Sequence, residues 1–324
     1  MRTRIISLYF LKDNATLPEH FQLYLNSCAY NKKFEWLFVT NAAVDYDISD
    51  NVKVLTWDFM KLQRYVQKKF DFPICLENPY KLCDYKVLYG YIFSEYLEGY
   101  DFWGYCDCTD VIWGDLSHFI TESHLNSYDK IYWKGHLTLY RNEERFKKCF
   151  MEYEKNGLSY KDIISQEDFF APDETGILNI SDAWKEKGYS VYLAEDDIAD
   201  VGPLYFPFRK AHHIANERNA AEKNKHRIFF WDSGQLYCYS IQAGGIKKEE
   251  FAYVHFQKRD MEVNIQNLKE CRKFFIIPNQ FCQDGEVSIE WIRSVTRSKL
   301  FYRKYFELRA KNLKRRIYGV IRRK

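Results

Sequence analysis

The stretch that decides the fold is Phe102-Trp103-Gly104-Tyr105-Cys106-Asp107-Cys108-Thr109-Asp110-Val111-Ile112-Trp113-Gly114-Asp115-Leu116. Its apolar start predicts a buried strand over 101–107, and two carboxylates, Asp107 and Asp110, follow at once. Carboxylates at the end of a buried strand cost desolvation free energy unless a cation pairs with them. The pattern therefore predicts either a divalent metal site at this strand end or a strand cap followed by a turn.

Strands and helices alternate on the N-terminal side of this stretch. The pattern predicts strands over 5–10, 35–40 and 52–57, and helices over 18–30, 58–69 and 79–97. Such alternation is typical of a mostly parallel, doubly wound sheet with helices on both faces. Ligands of such sheets bind beyond the carboxyl ends of the strands.

The second half of the chain has a different pattern. It predicts strands over 130–134, 137–140 and 251–256, a hairpin of 227–231 with 236–240, and a long helix from about 287. We therefore predict an α/β fold with an antiparallel hairpin addition. One domain would span 1–285, followed by a C-terminal helix over 286–324.

Composition indicates a cytoplasmic protein. The nine cysteines are scattered, with no CxxC pair, which favours reduced, buried thiols. No apolar run reaches transmembrane length, and the N-terminus lacks the pattern of a signal peptide. Aromatic residues make up 18 % of the chain. They indicate either an aromatic core or rings that line a carbohydrate cleft.

Charge is distributed unevenly along the chain. The last 28 residues, 297–324, have a formal charge of +11, and the remainder has −8. Apolar residues recur among the basic ones at mostly helical spacing: Leu300, Phe301, Tyr305, Leu308, Leu313, Ile317, Val320 and Ile321. This pattern predicts an amphipathic helix that contacts anionic membrane, which would place the protein at the inner face of the cell membrane. Alternatively, the apolar stripe packs on the body or on a second copy.

Two polar residues interrupt the predicted helix over 79–97. Asp84 and Lys86 are either a surface pair or ligand contacts, with Asp84 binding sugar or ribose hydroxyls and Lys86 binding phosphate. Gly135 and His136 stand between two predicted strands, where a glycine permits close approach of backbone or ligand. Otherwise they belong to a half-exposed strand.

The strand over 251–256 ends in polar residues. His255 is either structural or a metal ligand, and Lys258 could neutralise a diphosphate. Gln257, between them, is a candidate catalytic residue. Asp173 and Glu174 follow Pro172 in a predicted loop, where an acid could act as general base on an acceptor hydroxyl or lie in a solvated turn.

The order of these segments resembles a family of uncharacterised bacterial proteins from capsule and surface-polysaccharide gene clusters, classed as GT-A-like glycosyltransferases. The likeness covers about residues 5–260. The segments that carry it are Tyr80-Lys81-Leu82-Cys83-Asp84-Tyr85-Lys86, 102–107, 111–116, Lys134-Gly135-His136-Leu137-Thr138-Leu139-Tyr140-Arg141-Asn142 and Tyr253-Val254-His255-Phe256-Gln257-Lys258-Arg259.

The resemblance implies a role for each of these residues. Asp107 and Asp110 stand where such enzymes have their metal-binding Asp-x-Asp, and Asp84 and Lys86 stand where they contact the donor. His255 and Lys258 are similar to the metal- and diphosphate-binding His and Lys of glycogenin-type transferases. Gly135 and His136 would also contact the donor. The spacing here is Asp-x-x-Asp, so the two carboxylates converge only if the chain turns at Cys108-Thr109.

The predicted function is therefore transfer of a sugar from a nucleotide-sugar donor, with a UDP-sugar favoured, to a polysaccharide or lipid-linked oligosaccharide acceptor. Mn²⁺ or Mg²⁺ would be the cofactor. One alternative is a protein of the same fold that binds sugars or nucleotide-sugars without catalysis, and another is a metal-dependent nucleotide hydrolase. Nucleic-acid binding through the tail is disfavoured because the body is acidic and has no recognised motif for it.

Overall fold

A computed structural model describes residues 1–11, 16–174, 176–210, 226–299 and 301–321. Sixteen strands are present in these residues: β1 Thr3–Tyr9, β2 Phe34–Thr40, β3 Val52–Thr56, β4 Phe102–Cys106, β5 Val111–Trp113, β6 Lys130–Lys134, β7 Leu137–Arg141, β8 Val191–Tyr192, β9 Ile198–Asp200, β10 Arg227–Asp232, β11 Gln235–Gln242, β12 Gly245–Glu250, β13 Tyr253–His255, β14 Glu262–Asn264, β15 Lys273–Ile277 and β16 Gln280–Cys282.

Eleven α-helices accompany the strands in the same described ranges: α1 Phe21–Tyr30, α2 Phe59–Gln67, α3 Leu82–Tyr85, α4 Tyr89–Ile92, α5 Leu116–Phe119, α6 Glu122–Ser127, α7 Glu144–Lys148, α8 Tyr160–Ile164, α9 Ile180–Glu186, α10 Ile289–Val295 and α11 Arg303–Ile321. Short polar side chains cap several of them. Asp58, Asn179 and Ser288 each accept a hydrogen bond from a backbone N–H in the first turn of the following helix.

The chain divides into two compact units. The first contains residues 1–109 and 116–195, and the second contains 110–115 and 196–324. The boundary predicted at residue 285 stays a prediction. As predicted, the protein is a mixed α/β protein.

The first unit is built on a seven-stranded sheet in the order β3-β2-β1-β4-β7-β6-β8. The neighbouring pairs β2–β3, β1–β2, β1–β4 and β6–β8 are parallel, whereas β7 is antiparallel to both β4 and β6. The predicted, mostly parallel sheet is therefore confirmed. The chain runs from β1 outward to β3 and then returns to the other side of β1 at β4. This reversal makes the carboxyl ends of β1 and β4 a topological switch point, where ligands bind in open α/β sheets.

Aromatic rings fill the core of the first unit. Trp103 on β4 stacks on Tyr140 of β7 with 4.7 Å between ring centroids, and both rings are buried. Gly90 allows Trp103 this position, because a Cβ at residue 90 would overlap the indole. Much of the aromatic content therefore serves the core.

The continuous helix predicted over 79–97 is wrong. The segment contains α3 and α4 alternating with the 3-10 turns Pro79–Lys81, Lys86–Leu88 and Ser94–Leu97. Its side chains bind several separate parts of the first unit, and Gly90 lowers helix propensity in its middle. Tertiary contacts thus override the local helical pattern.

The second unit contains two sheets. One has six strands in the order β12-β11-β10-β15-β16-β14, and the other has three in the order β5-β13-β9. The predicted hairpin is confirmed, because β10 and β11 pair in antiparallel register around Ser233 and Gly234. Both loop residues have positive φ, of 50° and 93°, as a two-residue hairpin turn requires.

The C-terminal segment forms two helices, α10 and α11, instead of the one predicted from about 287. Thr296 ends α10, and its hydroxyl donates a hydrogen bond to the Ile292 carbonyl. Of the predicted apolar stripe, Leu300 and the side chains of Ile317, Val320 and Ile321 lie outside the described residues. In the described residues, no helix is long and apolar enough to cross a membrane.

Candidate functional site

A buried lysine joins three segments of the first unit. The Lys86 ammonium donates to Asp107 Oδ1 at 2.7 Å and to the Gly135 carbonyl at 2.9 Å, and it lies 3.7 Å from Asp173 Oδ2. Asp107 directly follows β4, at the switch point of the sheet. Lys86, Asp107, Gly135 and Asp173 were identified in separate segments of the sequence. In the structure the last three surround the Lys86 ammonium group.

The loop that carries Asp173 and Glu174 is held against the β6–β7 turn. Glu174 Oε1 accepts a hydrogen bond from the Gly135 N–H at 2.8 Å. A Cβ at residue 135 would overlap Asp173 Oδ2, so glycine is the residue that allows this carboxylate to approach the turn. The sequence predicted that a backbone or ligand approaches Gly135 closely, and in the structure the Asp173 side chain does so. Asp173 is only 6 % exposed, which excludes a solvated turn for it.

Burial and neighbouring charges set the proton affinities in this cluster. Burial raises the pKa of Asp173 to about 6, and the charges of Glu174 and Asp107 add to this effect while Lys86 opposes it. Burial lowers the pKa of Lys86, but the carboxylates of Asp107 and Asp173 outweigh it and raise that pKa well above its usual value. Lys86 is therefore a fixed cation, and the carboxyl group of Asp173 keeps its proton to a higher pH than an ordinary aspartate.

Asp84 lies in a different setting from the one predicted. It is fully buried, and its carboxylate accepts hydrogen bonds from Lys81 Nζ at 2.8 Å and from the backbone N–H groups of Phe170 and Ala171. The Lys81 ammonium also donates to the carbonyls of Ile163 and Asp168. This geometry gives Asp84 a structural role, as the anchor of the loop that leads to Asp173, and its contact with a ligand stays a prediction.

The chain after β4 is held by backbone contacts. The Asp107 N–H donates to the His136 carbonyl at 3.4 Å, and the His20 ring hydrogen-bonds through Nε2 to the Thr109 carbonyl at 2.7 Å. His136 itself is buried in the turn between β6 and β7. These contacts position Asp107 and Thr109 within the Asp-x-x-Asp motif. His20 was not identified from the sequence.

A second polar cluster lies in the second unit. His255 Nδ1 is 2.9 Å from Asp200 Oδ1, and His255 Nε2 is 3.4 Å from Asp110 Oδ2. The Gln257 amide donates to the same Asp200 oxygen at 2.9 Å. Burial lowers the pKa of His255, but the charges of Asp110 and Asp200 outweigh burial and raise that pKa well above its usual value. The imidazole is therefore held between two carboxylates.

The sequence predicted four functional residues in this unit, and only some of them contact one another. Asp110 and His255 are neighbours, as a shared metal would require, while Gln257 contacts Asp200 and Lys258 is exposed. Sequence reasoning missed Asp200. Its signal was present, because Ile198-Ala199-Asp200-Val201 is an apolar strand that ends in a carboxylate, like the stretch that ends in Asp107.

Acidic and histidine side chains that could hold a metal ion are present in the described residues, and Asp110 and His255 are among them. Their 3.4 Å separation fits adjacent ligands of an octahedral ion, because two bonds of about 2.1 Å at a right angle place their ligand atoms about 3.0 Å apart. Carboxylate oxygen suits Mg²⁺ or Mn²⁺, and neutral imidazole is a common ligand of transition metals. The side chains therefore fit such a cation.

Comparison with protein families gives one match. The model of a family described as "Family of unknown function (DUF6625)" matches residues 5–285. The matched range contains the residues of both polar clusters. A search of curated proteins finds no match.

Proposed function

The chain belongs to the DUF6625 family, and from its own residues we propose that it is a glycosyltransferase with a GT-A-like fold. Its donor would be a nucleotide-sugar, with a UDP-sugar favoured, and its acceptor a polysaccharide or lipid-linked oligosaccharide. The resemblance to capsule and surface-polysaccharide transferases motivates this assignment. The chemistry of the two polar clusters supports it.

The observation that carries the proposal is the position of Lys86 and its carboxylates. Asp107 stands at the carboxyl end of β4, beside the switch point of a mostly parallel sheet, and Lys86 holds it in place. Carboxylates at that point suit a ligand that brings a cation and phosphates, since Mg²⁺ and Mn²⁺ bind to one or two carboxylates together with substrate phosphates.

Each residue would have one role in such a reaction. Lys86 positions Asp107 and Asp173 and compensates their charge, while Glu174 fixes the Gly135 turn. Asp110 and His255 would hold Mn²⁺ or Mg²⁺. A cation held there would act as a Lewis acid and would neutralise charge on the departing diphosphate. Asp173 would accept the proton of the acceptor hydroxyl if the enzyme inverts configuration.

The proposal is tested first by ligand binding. The melting temperature of the protein should rise with one nucleotide-sugar among UDP-, GDP- and CMP-sugars, and this rise should depend on Mn²⁺. The reason is that a ligand that binds the folded state raises apparent stability. Hydrolysis of that donor, followed by transfer to added acceptor, then separates an enzyme from a protein that only binds sugars. No shift with any donor would contradict the proposal.

The pH dependence of transfer should report Asp173. A base must be deprotonated, so we expect kcat/KM to rise as pH increases through about 6, where Asp173 loses its proton. Glu174→Gln should move this midpoint to lower pH, because the Glu174 charge raises the pKa of Asp173. The glutamine keeps an oxygen for the Gly135 N–H. A midpoint that stays unchanged in Glu174→Gln would exclude Asp173 as the titrating group.

The basic C-terminal helix would bring the enzyme to anionic membrane. Three apolar side chains of this segment are exposed, Phe301 at 70 %, Phe306 at 51 % and Leu313 at 60 %, among basic residues. Exposed apolar side chains and cations in one segment suit an interface between acidic headgroups and acyl chains. The chain should pellet with anionic liposomes at low salt and be released at high salt, whereas a chain lacking 297–324 should stay in solution. Equal pelleting of both would exclude the helix as the anchor.

A further inference from the structure

Strand register places Asp200 beside the candidate metal ligand. His255 is on β13, the middle strand of the three-stranded sheet, and it is paired with Asp200 on parallel β9 and with Val111 on antiparallel β5. Val111 directly follows Asp110. The imidazole therefore has Asp200 at one ring nitrogen and Asp110 at the other, at 2.9 and 3.4 Å.

The Asp200 carboxylate is engaged on the side of the ring away from Asp110. Its Oδ1 lies 2.9 Å from His255 Nδ1 and accepts a hydrogen bond from the Gln257 amide. An ionised carboxylate accepts and never donates, so the proton in this contact belongs to Nδ1. Asp200 is 6 % exposed, so these two donors matter for a charge that has lost most of its water.

Gln257 makes this bond from an uncommon backbone conformation. Its φ is 47°, in the left-handed region that residues other than glycine adopt rarely. Such outliers are tolerated where the surroundings hold them, and they concentrate at functional sites. Gln257 is two residues after His255 in the sequence, and this backbone conformation goes together with the hydrogen bond from its side chain to Asp200.

From this geometry we infer that Asp200, supported by Gln257, is a positioning residue that holds the Nδ1–H tautomer of His255 and aims its Nε2 lone pair at a metal beside Asp110. The inference rests on the metal site of the proposed function. Ligating histidines commonly donate their second ring N–H to a carboxylate, which fixes the ring and makes the metal-bound nitrogen more basic. Gln257, predicted as catalytic, acts in this arrangement through Asp200.

The test measures binding of Mn²⁺ alone, from the loss of the free-ion signal in electron paramagnetic resonance. Asp200→Asn should weaken Mn²⁺ binding about 10- to 100-fold, the range found when such outer carboxylates are removed. Gln257→Ala should weaken it less, because Asp200 remains. Glu262→Gln, which changes an exposed carboxylate of the same unit, is the matched control and should bind like the original protein.

A nitrogen NMR spectrum of the ¹⁵N-labelled His255 ring provides the second readout, which a purely structural role would not move. The spectrum is recorded at a pH high enough to leave the ring neutral, because Asp110 and Asp200 raise the pKa of His255 and a doubly protonated ring has no tautomers. The original protein should then show a protonated Nδ1 and an unprotonated Nε2, whereas Asp200→Asn should show a mixture of tautomers at an unchanged melting temperature. If the original protein binds no Mn²⁺, the metal function fails, yet the ring spectrum still decides the tautomer. Unchanged Nδ1 protonation in Asp200→Asn, or unchanged Mn²⁺ affinity, would overturn the inference.

Discussion

Replacing Asp110 with asparagine should lower the rate of sugar transfer about 1,000-fold while leaving the fold intact. The carboxylate lies 3.4 Å from His255 Nε2, so its loss removes one of the two neighbouring ligands of the proposed cation. A Lewis acid at a departing phosphate contributes several kcal/mol, and each 1.36 kcal/mol corresponds to a tenfold change in rate. Initial rates with and without Mn²⁺ measure the effect.

The design separates loss of metal from general damage. Glu262→Gln neutralises an exposed acid of the same unit and should transfer sugar at the original rate. Asp110→Asn should melt close to the original protein because Asp110 is partly exposed. Full activity of Asp110→Asn, or of the original protein in excess EDTA, would exclude the metal-assisted mechanism.

Replacing Asp84 with alanine should destabilise the first unit by about 3–5 kcal/mol, as found when one partner of a buried ion pair is removed. Asp84 is fully buried, and its loss would leave the Lys81 ammonium without its counter-charge, with only carbonyl acceptors. The N–H groups of Phe170 and Ala171 would lose the carboxylate that accepts from them. Urea unfolding followed by circular dichroism measures the change in free energy of unfolding.

Two further variants distinguish the anchoring role from ligand binding. Glu77→Ala removes an exposed acid seven residues earlier in the sequence and should leave stability unchanged. Asp84→Asn keeps one acceptor oxygen, so it should lie between the alanine variant and the original protein. If Asp84→Ala is as stable as the original but loses donor affinity, the anchoring role is wrong and the predicted ligand contact is restored.

The sheet of the first unit could be predicted because its signals are local. Residues 5–10, 35–40 and 52–57 are apolar runs of strand length, and the observed strands β1, β2 and β3 agree with them within two residues at each end. Burial on both faces makes such runs apolar throughout, so a single sequence contains them. The segment 79–97 was mispredicted because distant partners, at residues 107, 135, 163 and 170, decide its shape.

The candidate site was predictable in chemistry but not in pairing. Lys86 was identified as a polar interruption of a predicted helix, Asp107 as a carboxylate at a strand end and Asp173 as an acid in a loop. Their separations of 21 and 87 residues contain no information about contact. Asp200 was missed because a single carboxylate at the end of a three-residue strand is a weak signal without its partner. Only the pairing of β9 with β13 sets it beside His255.

The amino-acid sequence by itself determined the α/β class, the mostly parallel sheet, the basic tail and the residue types at the strand ends. These features depend on periodicity and composition, which are properties of neighbouring residues. Tertiary structure alone decided that Lys86 compensates Asp107 and Asp173, that Asp84 is an anchor, and that Asp200 holds His255. These outcomes depend on which charges lose water together, and a buried charge is stable only beside the partner that the fold brings to it.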